Sequence, residues 1–236
     1  MIKSTFFAVC LVGLMAGTAW AQDLTATQKA MQAGNEQYAR AEYTAAISSY
    51  RRVTVSAGAA YGQSLYNIGV CYYELWRTDE AIAHYRQAIA FRGGRYPQAS
   101  HALGVALEEK KQTAEARAAY LQALAADAEF APAHYHLGLL LAQAGEHRAA
   151  AEHFRSAIRF SHDTIPAGHN NLGVVLAWSG QMDEANREFG LAVRQTNGTL
   201  TEASRNLELS RTIIDATATV KSPEWQLAAA TRRAER

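Results

Sequence analysis

Cysteine is nearly absent from this chain: there are two in 236 residues, and Cys10 falls in an apolar amino-terminal stretch that reads as a leader. Beyond the leader only Cys71 remains, so no intramolecular disulfide can form, and Cys71 is expected to be a small buried hydrophobe. Neither sign of charge is in excess. The chain carries 23 basic and 22 acidic residues. The leader holds one lysine and no acid, which leaves 22 of each and a formal charge of zero. A neutral chain lacks the concentrated basic face that captures nucleic acid or anionic membrane, so neither is expected as a partner. Signatures of catalysis are missing as well: there is no phosphate-cradling glycine loop, nucleophile elbow or zinc-protease helix. Of the eight histidines, His134 and His136 are the closest pair, and on a helix that spacing points them about 200° apart. The acid pairs Glu108-Glu109 and Asp183-Glu184 diverge in the same way. No catalytic residue, metal ligand or cofactor is expected.

Residues 1–21 read as a cleavable export signal, with Lys3 at the start, an apolar core from Phe6 to Gly17, and Ala19-Trp20-Ala21 before Gln22. The run is short for a membrane span, and no other stretch approaches that length. Phe7-Ala8-Val9 before Cys10 fits a lipoprotein cleavage box poorly, so no lipid anchor and no membrane insertion after cleavage are expected. The expected compartment is the bacterial periplasm, with secretion as the alternative.

What the chain has in abundance is a period. Glycine recurs at 34, 69, 104, 138 and 173. Twelve residues after each comes an alanine: Ala46, Ala81, Ala116, Ala150 and Ala185. Four further on comes a ring: Tyr50, Tyr85, Tyr120, Phe154 and Phe189. The steps between glycines are 35, 35, 34 and 35 while the internal offsets stay constant, so the variation is absorbed between units. Such a period denotes stacked supersecondary units, each too small to bury its apolar face alone. Each reads as two antiparallel helices. Glycine admits the facing alanine closely, and the aromatic fills the space beside that contact.

Segments such as YNIGVCYYELWRTDEAIAHYRQAIAF (66–91) and HNNLGVVLAWSGQMDEANREFGLAV (169–193) resemble the tetratricopeptide repeat family. The resemblance covers residues 27–199 as five units, about 27–61, 62–96, 97–130, 131–165 and 166–199, after a linker at 22–26. It implies an all-α, right-handed solenoid of helix-turn-helix repeats. The family's turn glycine stands as Gly145 and Gly180 but is replaced by Ala41 and Trp76. The first unit is the most degraded, as suits a terminal repeat. His134 and His169 take a place where the family has a large aromatic, and so read as packing residues.

The resemblance also implies that first helices line a concave wall that binds peptides. Number each unit so that its glycine is eighth. The fifth position then gives Met31, Tyr66, His101, Tyr135 and Asn170, and the ninth Asn35, Val70, Val105, Leu139 and Val174. The twelfth and thirteenth add Tyr38, Tyr73, Glu108, Ala142, Glu74, Glu109 and Gln143, and Trp178 closes the last first helix. For Tyr66, Tyr73 and Tyr135, packing between units and contact with a ligand stand as equal readings, while Trp178 reads as an exposed anchor. The family's clamp for a terminal carboxylate needs cations where this chain has Met31, Gln98 and Ala102, so that mode is not expected, although Asn35 and Asn67 hold its amide positions. Asn67, and Asn171 at the equivalent place, also read as simple inter-repeat hydrogen bonds.

Residues 200–218 read as a capping helix, with Thr201 as N-cap and Leu207 and Ile214 on the packed stripe. A second stripe, Leu209, Ile213 and Ala216, needs a cover. The tail, 219–236, opens a possible short helix at Ser222-Pro223-Glu224 and carries Trp225 and Leu227. It either folds back on the cap, meets another subunit, or places Trp225 and Leu227 in the chain's own groove. The expected function is a non-catalytic periplasmic module that binds an apolar peptide or protein segment, as adaptor for an envelope assembly, secretion or maturation complex. The alternative is a self-assembling scaffold, a homo-oligomer joined through the cap and tail.

Overall fold

The computed structural model describes residues 25–162, 165–215 and 225–228. Among them every regular element is helical. Helix α1 covers residues 25–39. It is followed by α2 (Tyr43–Tyr50), a 3-10 turn (Val55–Ala57), α3 (Ala59–Glu74), α4 (Thr78–Phe91), α5 (Pro97–Glu109), α6 (Thr113–Ala126), α7 (Ala131–Gln143), α8 (His147–Phe160), α9 (Pro166–Trp178), α10 (Met182–Gln195) and α11 (Thr201–Asp215). The chain divides into two compact units, Met1–Ala106 and Leu107–Arg236, with α5 crossing the boundary. The all-α class and the succession of short-linked helix pairs are those that the period implies. No described helix is long and apolar enough to cross a membrane. The leader and residues 22–24 lie outside the described residues.

The period has a contact behind it that differs in detail from the expectation. A Cβ on Gly34 would lie 2.4 Å from the Tyr50 ring, and one on Gly69 2.6 Å from Tyr85. In the second unit the distances are 2.8 Å for Gly138 to Phe154 and 2.6 Å for Gly173 to Phe189. The ring itself occupies the place of the missing Cβ, and at Gly69 the carbonyl oxygen of the facing Ala81 lies 3.3 Å from that place as well. Ala46, Ala81, Ala150 and Ala185 are fully buried on the same second helices. A ring in this position removes an aromatic face from water, about 1.5–3 kcal/mol of transfer free energy for a Phe side chain.

Each first helix ends in the same reversal. Residues 41, 76, 111, 145 and 180 have φ of 57, 60, 60, 77 and 78°. The next N–H then reaches back five residues, as in Arg77 to the Tyr72 carbonyl and Gln181 to that of Leu176, both 2.9 Å. This closes the helix by satisfying a terminal carbonyl. Glycine is relaxed there, but Ala41, Trp76 and Lys111 hold the same left-handed conformation. Lys111 is a third replacement that the sequence reading did not mark.

In the first unit, Tyr66 packs between Tyr85 and Tyr96 with ring centroids 5.9 and 5.5 Å away. Cys71 is fully buried, and burial pushes its thiol up to about 12, so it stays protonated at neutral pH. In the second unit, His134 and His169 do more than pack. His134 Nε2 lies 3.0 Å from the Ala128 carbonyl and must donate to it, so its Nδ1 accepts from His153 Nδ1 at 2.9 Å. His169 Nδ1 donates to Glu188 at 2.6 Å. Both partners stand 19 residues downstream, so the repeat has turned an aromatic site into a polar pair.

Helix α11 begins at Thr201, which is thus its first helical residue and not its cap. Leu207 is buried as expected, but Ile214 is 43% exposed and so is not on the packed stripe. Leu209 and Ile213 are half-buried, and Ala216 lies outside the described residues.

Candidate functional site

Four residues of the tail, Trp225 to Ala228, lie against first-helix positions of the second unit. They are not helical, unlike the short helix proposed for this region. Ser222, Pro223 and Glu224, its start signal, lie outside the described residues.

The contacts are mostly to main chain. Asn206 on α11 grips residue 226 twice: its Oδ1 accepts the Gln226 N–H at 3.1 Å, and its Nδ2 donates to the Gln226 carbonyl at 2.7 Å. Asn171 on α9 does the same for residue 228, accepting the Ala228 N–H at 2.7 Å and donating to its carbonyl at 2.9 Å. Asn170 Nδ2 adds a second donor to the Gln226 carbonyl at 3.0 Å, and the Tyr135 hydroxyl on α7 a second to that of Ala228 at 3.2 Å. In an extended chain alternate residues present N–H and C=O on one side, and each asparagine pairs with one such residue as a neighbouring strand would.

The amides also hold one another. Asn206 donates to the Asn170 carbonyl oxygen at 2.9 Å, Asn170 to that of Asn171 at 3.1 Å, and Asn171 to the Tyr135 hydroxyl at 3.1 Å. All three asparagines are 0% exposed. Buried amides without partners are costly, and a fully bonded network of them is rigid and specific. Burial raises the Tyr135 phenol to about 12, against the opposing pull of the Asn171 hydrogen bond, so it remains a donor at neutral pH.

Two side chains of the segment are buried. Trp225 stacks on Phe189, centroids 5.7 Å apart and planes 18° apart. Phe189 is the ring seated on Gly173, so the same ring packs the repeat and meets the tail. Ala228 is 2% exposed. Gln226 and Leu227 are half-buried, so Ala228, not Leu227, is the second anchor of the segment.

The sequence-derived wall residues divide sharply. Tyr135 and Asn170 touch the segment. Leu139 and Val174 are buried, at 6 and 0%. Glu108 accepts from the Tyr120 hydroxyl and pairs with His136 Nδ1 at 3.2 Å, a local cluster. Trp178 is 39% exposed, as expected, and packs on His147 at 4.9 Å. In the first unit, Met31, Tyr38, Tyr66, Val70, Tyr73, His101 and Val105 are half-buried and Asn35 is exposed. Asn35 accepts from the Tyr50 hydroxyl at 2.7 Å, and Asn67 accepts from Gln63 at 2.8 Å. The inter-repeat reading of Asn171 holds for its bond to Tyr135, but its other bonds go to the tail. Sequence reasoning assigned no role to Asn206 and gave Phe189 a packing role alone. A signal existed: Asn171 and Asn206 are 35 residues apart, one period, so α11 continues the register as another first helix.

The architecture defines a helical-repeat protein in which α7, α9 and α11 hold four residues of the chain's own tail. Residues 62–94 and 101–163 match models of the tetratricopeptide repeat, so these stretches are tetratricopeptide repeats. Solved structures agree in fold. PilF of Pseudomonas aeruginosa aligns at 17% identity with TM-score 0.64, over 84% of this chain and 95% of its own. MamA aligns at 21% with TM-score 0.60, over 83% and 98%. YrrB, described as a tetratricopeptide protein with an unusual peptide-binding site, aligns at 17% with TM-score 0.59, over 76% and 90%. No curated protein sequence matches the chain.

Proposed function

We propose that the protein is a non-catalytic, exported interaction module that holds a segment of another protein on the wall formed by α7, α9 and α11. One observation carries this reading: three fully buried asparagines and a tyrosine spend their hydrogen bonds on the main chain of a four-residue segment. A wall that binds backbone in this way is built for polypeptide. YrrB, with its peptide-binding site on the same fold, supports it by analogy. The leader-like residues 1–21 support a periplasmic location, and with it a role as adaptor in an envelope assembly, secretion or maturation complex. The scaffold reading is the weaker one, because Trp225 and Ala228 already have partners within the second unit.

The test is capture from envelope extract by residues 22–236 and by an Asn171→Leu variant of equal helicity. A protein retained by the parent and lost by the variant supports the reading. Equal retention by both moves the binding surface elsewhere. A mature amino terminus at Gln22 on protein recovered from the periplasmic fraction tests the location.

A further inference from the structure

The segment at 225–228 shows what the wall selects. Its two outer residues are buried and its two middle ones are half-open. The first presents an indole to Phe189 at 5.7 Å, where a flat ring stacks best. The fourth is 2% exposed with its N–H and carbonyl both held by Asn171, so a side chain much beyond a methyl has no room. Between them, residue 226 is read only through its backbone, by Asn206 and Asn170.

We infer that the wall is a backbone reader for an extended segment with an aromatic residue, two unrestricted residues and then a small one, and that Trp225–Ala228 is a resident copy which a partner protein must displace. The inference rests on the reading of this wall as the binding surface. It adds the occupant's pattern and the competition. A tethered resident ligand acts at high effective concentration, so a partner bearing the same pattern binds the intact chain more weakly than a chain whose own segment cannot seat.

The test uses residues 22–236, intact and as a Trp225→Ala, Ala228→Arg variant with the wall opened. The probe is a labelled peptide of residues 222–230, and binding is read by fluorescence anisotropy. The expected affinity for the opened chain is on the order of micromolar. The intact chain should bind at least about tenfold more weakly. N-methylation of the probe at the position of Gln226 or Ala228 deletes a donor to Asn206 or Asn171 and should weaken binding about tenfold or more, whereas methylation at Leu227 should be tolerated. Replacing the probe's Trp by Ala or its Ala228 equivalent by Arg should abolish binding, while Ala at both middle positions should leave it within about threefold. These probe variants leave the protein untouched, so misfolding cannot imitate the result.

Binding that ignores methyl position or the outer residues overturns the inference and leaves the wall as a binding surface. Equal affinity for intact and opened chains overturns the competition. Failure of the probe to bind the opened chain, while an envelope protein is still captured in an Asn171-dependent way, sinks the pattern but not the proposed function. Failure of both removes the two together. A concentration-dependent oligomer of the intact chain, lost in the opened variant, would assign the segment to a second copy and overturn occupancy by the chain's own tail.

Discussion

In the first unit, Asn67 accepts a hydrogen bond from Gln63 one turn earlier at 2.8 Å and remains half-buried. In the second, Asn171 and Asn206 stand at the same place in the repeat, are fully buried, and each hold both main-chain groups of one residue. The aromatic positions differ in parallel. Tyr66 spends its contacts on Tyr85 and Tyr96 within its own unit, while Tyr135 donates to the carbonyl of Ala228. The register of the repeat therefore fixes where a side chain stands on the wall, and the neighbourhood decides what it does there. Asn67 also bonds the Tyr50 hydroxyl of the preceding repeat, but that hydroxyl keeps Asn35 as a partner, so this half-open amide can be lost cheaply. A buried amide committed to a distant backbone cannot, because its loss strands donors and acceptors away from water.

The largest expected effect comes from the rings that seat on the glycines. Tyr85→Ala and Phe189→Ala should each lower stability by about 3–5 kcal/mol in denaturant unfolding, since each opens a cavity under a fully packed ring. Only Phe189→Ala should also release the amides of residues 226 and 228 to hydrogen exchange, because Trp225 stacks on Phe189 and not on Tyr85. Loss of protection in Tyr85→Ala would break the contrast between the units. Asparagine sharpens it further. Asn171→Leu is expected to cost about 1–3 kcal/mol and to expose the Ala228 amide to exchange. Asn67→Leu should cost less than about 1 kcal/mol, as expected for a neutral hydrogen bond at a half-open site.

Smaller effects test the turns and the histidine pair. Lys111→Gly should stabilise by about 1 kcal/mol, because a side chain is strained at φ 60°. Unchanged stability would mean that this reversal stores no strain. Burial, then His134, then Arg117 hold the His153 imidazole below its ordinary 6.5, against an opposing pull from Glu152. The unfolded chain thus binds more protons between that lowered value and 6.5. The contribution of neutral His153 is present in full above 6.5 and is lost as pH falls through the lowered value. Unfolding midpoints measured downward from pH 7 should fall less in His153→Gln than in the parent.

Much of the fold could be read without coordinates. Five glycines are each followed sixteen residues later by a ring, and at Gly34, Gly69, Gly138 and Gly173 that ring fills a Cβ-sized space, a contact local enough to recur with the period. Turn positions were legible for the same reason, although Lys111 shows that the left-handed residue need not be glycine. The site was legible only in part. Tyr135 and Asn170 follow from the register and touch the tail, while Trp178 is exposed as expected and packs on His147 without a described tail contact. Asn206 escaped because α11 lacks the glycine and ring that mark a unit, even though it keeps the spacing.

The sequence by itself determined the all-α repeat and the helix pairs, because those depend on spacings of a few turns that periodicity records. Only the tertiary structure decided what the second unit's wall holds. Asn171 meets Ala228 across 57 residues of chain, and a four-residue segment without period let the sequence offer the chain's own groove only as one of three places for the tail.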